Sequence, residues 1–456
     1  MLSWDDVMGL LTESGYQGKK TDFAVLRGML AYLGSPEKRL RFVHVAGTNG
    51  KGSASRMMQA VLTAAGYRTG LFISPHLEYM NERWTIDGEM ITDEELVQTA
   101  QRVRTAVAQY NTDHIRSSLQ QAGQPAIQSQ QDSCSRLSPD GVSCCPAAEK
   151  PVAFALLTLM AFDYFARKGC EIVVLEVGIG GRLDSTNVIP VPELALIMNI
   201  GLEHTELLGN TVEEIACEKG GIIKPGGRVV LYHQSEPVEN VIRNLCRDRG
   251  AELVISEERQ TNIRLNLSGR YQKRNMAALL AGIDILRCRG WKISEEAVRR
   301  GLGTVTWPGR FEILHRNPLV IVDGAHNPNG VEALVQNLED PEGPLAAPNS
   351  RGRVRILFVF GAMADKDVRE MLRLLAPYAA GFIMETVPDG EGRAETAEIL
   401  CAEASRYFHG PVQTADSIEE ALMLAVQAAA AAAEDTAVIC CGSLYQVAEI
   451  RKFFGR

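Results

Sequence analysis

The sequence predicts an α/β protein built from two successive sheet-and-helix units, and three observations predict it. Short apolar runs alternate with amphipathic stretches along the first large region, as strands joined by crossover helices do. A second series of the same kind begins near Trp307-Pro308-Gly309. Glycine-containing turns follow apolar runs in both series, at the sheet edge where such folds bind ligands. We therefore expect one unit over residues 1–306 and another over 307–456.

In the first unit RFVHVAG (41–47) reads as a buried strand and KGSASRMMQAVLTAAG (51–66) as the helix after it. TGLFIS (69–74) is a second strand, and residues 92–110 form a helix opened by the cap signal Thr92-Asp93-Glu94-Glu95. The helix at 151–169 has proline in its first turn and ends on glycine. EIVVLEV (171–177) and ELALIMNI (193–200) are strands. Residues 112–150 hold Ser, Gln, Pro and Cys without an apolar period, and read as a solvated loop insertion.

In the second unit EILHRNPLVIVDGAH (312–326) predicts a strand pair turning at Asn317-Pro318. RVRILFVFGA (353–362), GFIMET (381–386) and TAVICCG (436–442) are further strands. The alanine run 428–433 reads as helix, since alanine is the best helix former, and 341–352 as an exposed loop.

Composition narrows the function classes. A 456-residue chain with 46% hydrophobic and 23% charged residues has ample material for sizeable cores. Its net charge of -9 argues against general nucleic-acid binding, which needs a dominant basic face. The N-terminus lacks a signal peptide's pattern, and no apolar stretch is long and charge-free enough to span a bilayer. With no CxxC pair, the ten cysteines read as reduced thiols of a cytoplasmic protein, Cys170 and Cys217 among them as small core residues.

The stretch HVAGTNGKGSAS (44–55) carries the chemistry. It departs from the phosphate-loop pattern G-x-x-x-x-G-K-[ST], because Val45 replaces the first glycine and Gly52 separates Lys51 from Ser53. Its context is nevertheless strand, glycine loop, lysine, helix. Such a loop converges backbone N–H groups on an anion at the positive end of a helix. Gly47 and Gly50 allow phosphate to approach, Lys51 supplies charge, and Thr48 or Ser53 a hydroxyl.

EVGIGGRLDSTN (176–187) lacks dinucleotide-fingerprint spacing, and Glu176, Arg182 and Asp184 suggest a lined pocket. His76, His204 and His326 all lie in turns after apolar runs and the remaining histidines do not, although His204 taken alone is more often a surface or capping residue than a ligand.

Taken with ISPHL, EKGGIIK, GRYQKRN, WPGR, DGAHNP, ADKD and CGSLY, these motifs occur in the order and rough spacing of folylpolyglutamate synthase. The chain thus resembles that family, whose bacterial members are often also dihydrofolate synthases, within the Mur ligase superfamily of ATP-dependent amide-bond formers. The likeness runs from about residue 21 to 450, without 112–150. The Lys51-Gly52-Ser53 order looks like that of the folate branch.

The resemblance implies an N-terminal P-loop ATPase-like Mur ligase central domain and a C-terminal Rossmann-like glutamate ligase domain, with the site in the cleft between them. It implies a monomer that joins L-glutamate to a folate or to dihydropteroate, using ATP and Mg2+ and passing through an acyl phosphate. Gly47, Thr48, Asn49, Gly50, Lys51, Gly52 and Ser53 would cradle the phosphates. Ser74, His204 and Ser53 would hold magnesium together with Lys219, which is carbamylated in relatives. Asn275, Arg310, Asp323 and His326 would reach the nucleotide from across the cleft, with Lys51, Lys219, His204 and Arg310 in the chemistry.

One departure stands out. Where the family's helix carries a metal-binding glutamate, this chain has Ala155. A Mur-type ligase for another carboxylate, and an ATP-binding homologue with an impaired metal site, are therefore the alternative expectations.

Overall fold

The structure is a computed structural model and describes residues 6–9, 22–121, 149, 151–258, 261–341, 343–346, 354–388, 392–432 and 435–456. Its strands form two sheets. The first contains β1 (Phe42–Ala46), β2 (Thr69–Phe72), β3 (Trp84–Ile86), β4 (Glu89–Met90), β5 (Ile172–Glu176), β6 (Leu194–Ile197), β7 (Arg228–Leu231) and β8 (Glu252–Ile255). Their order across the sheet is β4-β3-β2-β5-β1-β6-β7-β8. β3 and β4 are antiparallel additions at one edge, and the other strands run parallel.

All five residues of β1 are buried, as expected of a parallel strand covered on both faces. Val43 and Val45 pack into a cluster with Met57, Met58 and Val61 of the helix Lys51–Ala64 and Leu279 and Ile283 of Arg270–Cys288. Phe42 joins the opposite face, under the helices Phe23–Tyr32, Asp93–Gln121 and Ala153–Arg167. Burying each such side chain stabilises the fold by about 1.5–3 kcal/mol.

The second sheet contains β9 (Glu312–Arg316), β10 (Leu319–Val322), β11 (Arg355–Phe360), β12 (Ala379–Met384), β13 (Val412–Thr414) and β14 (Thr436–Cys441). Its order is β13-β12-β11-β14-β10-β9, parallel except for the β9–β10 hairpin. Along β10, Ile321 enters one apolar cluster while Val320 and Val322 enter the other, so helices cover both faces. The connection from helix Glu295–Thr304 to β9 contains the 306/307 division.

Two expectations are corrected. The helix opened at Asp93 runs to Gln121, so residues 112–121 are not loop. Tyr110 packs edge-on against Tyr32, and His114 stacks on Tyr110 at 5.5 Å, contacts that an aliphatic period does not reveal. Residues 122–148 lie outside the described residues, as do 347–353. Cys217 is exposed, because the helix Val212–Lys219 buries Ile215, Ala216 and Lys219 and turns position 217 outward. Cys170 is buried. Among the described residues no helix is long and apolar enough to cross a membrane.

Glu385, just past β12, makes a stability prediction. It is fully buried, and neither carboxylate oxygen has a partner among the described residues. Burial pushes its pKa up to about 7 from an ordinary 4.5. A raised folded-state pKa means stability is greatest below the unfolded value and is lost as pH rises from about 4.5 through 7. Glu385→Gln should remove that loss. We expect it to gain a few kcal/mol over wild type at pH 8, at about 1.4 kcal/mol per pKa unit, and much less at pH 5. Chemical denaturation at the two pH values measures the difference.

Candidate active site

The turn after β1 starts at Gly47 and delivers the chain into the helix Lys51–Ala64. That helix has Gly50 at its N-cap, with no side chain capping the first turn. Its leading N–H groups are therefore available to an anion. Gly50 has φ +85°, and a Cβ there would lie 2.7 Å from Asn275 Oδ1. Only glycine suits both demands. Lys51 Nζ donates to the carbonyls of Gly47 and Thr48, each at 3.0 Å, holding the ammonium over the loop. The Thr48 amide donates to Asn199 O at 2.7 Å, and Gly201 N donates to Thr48 Oγ1 at 3.1 Å.

Gly52, the residue that spoils the standard pattern, has a steric reason. A Cβ there would sit 2.8 Å from Trp307 Cζ2. The connection between the two sheets lays its indole on the first turn of the nucleotide helix. Gly52→Ala should raise KM for ATP by roughly tenfold through overpacking worth about 1–3 kcal/mol. Steady-state kinetics check this, and adding Trp307→Ala should recover most of the loss. Ser53 is buried and accepts a hydrogen bond from Gln272 Nε2 at 3.1 Å, while Asn275 Nδ2 donates to Gln272 Oε1 at 3.0 Å. Gln272 was not among the expected residues. A glutamine in a helix reads as surface until its first turn is seen to pack on the loop.

Several charged groups gather around Lys51. Glu176, at the end of β5, is 4% exposed, and its Oε2 accepts from the Ser74 amide at 3.4 Å. Burial pushes its carboxyl up to about 7 against the opposing pull of Lys51, Arg310 and Arg83. Lys219 is 2% exposed and donates to Gly47 O at 2.7 Å. Burial, reinforced by the charge of Lys51, lowers it to about 7. Burial would raise Glu203, but His326, Lys51 and His204 outweigh it and hold the carboxyl below its usual range. His204, with φ +50°, is kept neutral over a wider range by burial, with Lys366, Lys219 and Lys51 adding to that effect against Glu203.

The second unit supplies the facing wall. Asp323, 4% exposed, accepts from the amides of Phe311 and Ala325 at 2.8 Å and from Tyr271 OH at 3.1 Å. Burial raises its pKa against the pull of Arg310. Arg310 Nη1 donates to Gly324 O at 3.3 Å. His326 Nε2 lies 3.4 Å from Glu203 Oε1, and Asn327 Nδ2 donates to that oxygen at 3.0 Å. Asn49 Nδ2 donates to Asn329 Oδ1 at 2.8 Å and to Asn327 Oδ1 at 3.3 Å. The phosphate loop thus touches the DGAHNP turn directly. Tyr271, Asn327 and Asn329 were not singled out, although two of them lie inside the quoted motifs GRYQKRN and DGAHNP.

Arg182 does not line this site. It is exposed and pairs with Glu218 at 2.7 Å. Asp184, its neighbour, is buried and accepts from Thr186 N and Ile179 N at 3.0 and 3.1 Å, so it shapes the glycine loop.

Residues 309–444 match the family model "Mur ligase, glutamate ligase domain". The dihydrofolate synthase/folylpolyglutamate synthase of Bacillus subtilis is 34% identical over 388 residues, covering 79% of this chain and 80% of that protein. The chain belongs to the folylpolyglutamate synthase/dihydrofolate synthase family. Mycobacterium tuberculosis folylpolyglutamate synthase, solved with ADP and AMPPCP, superposes with a TM-score of 0.80 at 30% identity, covering 99% of this chain and 98% of that one. E. coli FolC, solved with DHPP and ADP, gives 0.76 at 27% identity over 98% and 97%. As a member of this family the chain is an ATP-dependent ligase that forms amide bonds, on a two-domain α/β fold.

Within the family's frame, Ala155 is fully buried in the apolar cluster beneath β2 and β5. Beside it Phe154 rests on Phe72 at 5.8 Å and fills the space over Gly178. Where the resemblance led to the expectation of a metal-binding glutamate, this chain closes that corner with hydrocarbon. Among the described residues no group of three His, Cys, Asp or Glu side chains is poised for a metal. The remaining donors are hydroxyls, buried carboxylates and a neutral imidazole, which suit a hard divalent cation completed by phosphate oxygens and water.

Proposed function

We propose that this protein joins L-glutamate to folates, and to dihydropteroate, through an acyl phosphate formed at the expense of ATP. The observation that supports it best is the meeting of the Lys51 loop with the Asp323–Asn329 turn across two sheets. The reaction brings a carboxylate onto a triphosphate, so its barrier is largely electrostatic and positional. Lys51 with Gly47, Thr48, Asn49, Gly50, Gly52 and Ser53 takes the phosphates from one side. Asn275, which the structure sets against Gly50 rather than across the cleft, joins them, while Arg310, Asp323 and His326 address the nucleotide from the other side. The carboxylate of the folate attacks the γ-phosphorus, ADP leaves, and the amine of glutamate then displaces phosphate from the acyl carbon.

Ser53, Ser74, His204 and Lys219 would hold magnesium, which when bound neutralises phosphate charge. A lysine amine with its pKa near 7 is a free base, and so nucleophilic, for about half of the time at neutral pH. Reaction with carbon dioxide, releasing a proton, would turn Lys219 into an anionic carbamate ligand. We place the enzyme in the cytoplasm as a monomer.

The test is ADP release with dihydropteroate and with tetrahydrofolate, each with glutamate, over a magnesium titration. Release that needs both glutamate and a pterin substrate supports the reading. Release driven by a UDP-linked muropeptide instead would make it a Mur-type ligase. The hydrocarbon around Ala155 favours one second reading, an ATP-binding homologue without ligation. ATP binding without ADP release at any magnesium concentration, restored by Ala155→Glu, would establish that.

A further inference from the structure

Arg451 lies just beyond the CGSLY motif and far along the chain from the phosphate-loop and strand-end motifs, on the helix Val447–Phe453. Val447 and Ile450 of that helix are fully buried in the second unit's core, so its position there is fixed. Its guanidinium reaches two carboxylates, one in the loop after β2 and one at the start of β9. Nη1 pairs with Glu78, four residues beyond Ser74 in the first unit. Nε pairs with Glu312 Oε2 at 3.2 Å, two residues beyond Arg310. Glu312 in turn accepts the Gly309 amide at 2.8 Å, and Val447 Cγ1 would lie 2.6 Å from a Cβ on Gly309.

The loop at the other end of this link is stiff. Glu82 accepts the amides of Leu77, Glu78 and Tyr79 at 2.7, 2.8 and 2.9 Å. Leu77 packs against the second unit's apolar cluster. Ser74 meets Glu176 at the end of β5. A displacement at Glu78 is therefore passed to Ser74 rather than absorbed.

We infer that Arg451 is a positioning residue that sets the spacing between the Ser74 loop of the first unit and the Arg310 loop of the second. This rests on the proposed reaction, in which both loops face the transferred phosphoryl group. A planar fork holds two carboxylates from separate elements at once, which a lysine's point charge does poorly. Removing it takes away the one guanidinium that Glu78 and Glu312 share.

Arg451→Gln and Glu78→Gln should each lower kcat by about ten- to a hundredfold, since small misplacements of reacting groups are costly. KM for ATP should stay within about threefold of wild type, because Lys51 and its loop are untouched. The double variant should fall no further than the worse single one, and Arg451→Lys should recover only part of the rate. Hydrogen exchange at the Leu77, Glu78 and Tyr79 amides should quicken in Arg451→Gln without any substrate present. Single variants within twofold of wild type, additive losses in the double, a kcat loss that merely follows Tm, or unchanged exchange would each overturn the inference. If wild type shows no pterin-dependent turnover, the proposed reaction fails, while the exchange result still decides whether Arg451 holds the loop.

Discussion

Lys51→Ala should abolish ATP-dependent turnover, with residual activity on the order of a thousandth of wild type or less. The ammonium is held over the loop by two carbonyls, and the leading amides of its helix are left open. Both features make sense once an anion takes the place of those carbonyls as the partner of the charge. Without Lys51, the crowded phosphates, the buried Glu176 and the half-buried Glu203 would face one another with much less compensation. The loss should appear in ATP binding itself, so isothermal titration with ATP alone should show affinity reduced by at least about tenfold, one lost charge-assisted contact being worth roughly 1.5–3 kcal/mol. Fold stability should change little, since the side chain bonds only to its own loop. Near-wild-type turnover would remove this loop from the site.

Lys219→Met is the second large effect. Methionine keeps the volume and apolar stem, but removes the amine that touches Gly47 O and any chance of a carbamate. Turnover should fall at least about a hundredfold. Stability should respond in a way activity does not. The folded-state pKa of about 7 lies below the ordinary 10.5, so the unfolded chain binds the proton more tightly in between. Wild-type stability attributable to this group therefore rises as pH increases from 7 towards 10.5, and is at its lowest below 7. The variant lacks that slope. Guanidinium denaturation at pH 7 and pH 9.5 should show Lys219→Met at its best relative to wild type at the lower pH. An unchanged difference between the two would mean that Lys219 does not carry the shifted titration.

The parts of the site readable from sequence are those tied to a strand end. An apolar run followed by glycine and lysine marks a phosphate loop even when its spacing is irregular, because backbone N–H groups do the binding. Asp323 and His326 were legible for the same reason, at the close of β10. Residues hidden from sequence act across the fold. Gln272 and Tyr271 look like ordinary polar members of a helix, until that helix's first turn is set against Ser53 and Asp323. Arg182, in a persuasive glycine-rich motif, was drawn outward by Glu218 on a different helix. The extension of one helix to Gln121 escaped notice because aromatic and polar contacts to Tyr32, rather than leucines in register, hold it down.

Trp307 belongs to the connection between the two sheets, and it rests on the helix that would receive ATP. The strap that joins the halves and the proposed nucleotide seat therefore share one packed surface. A change in the course of that strap and a change at the loop bear on the same turn of helix, and Gly52 is the point at which they meet.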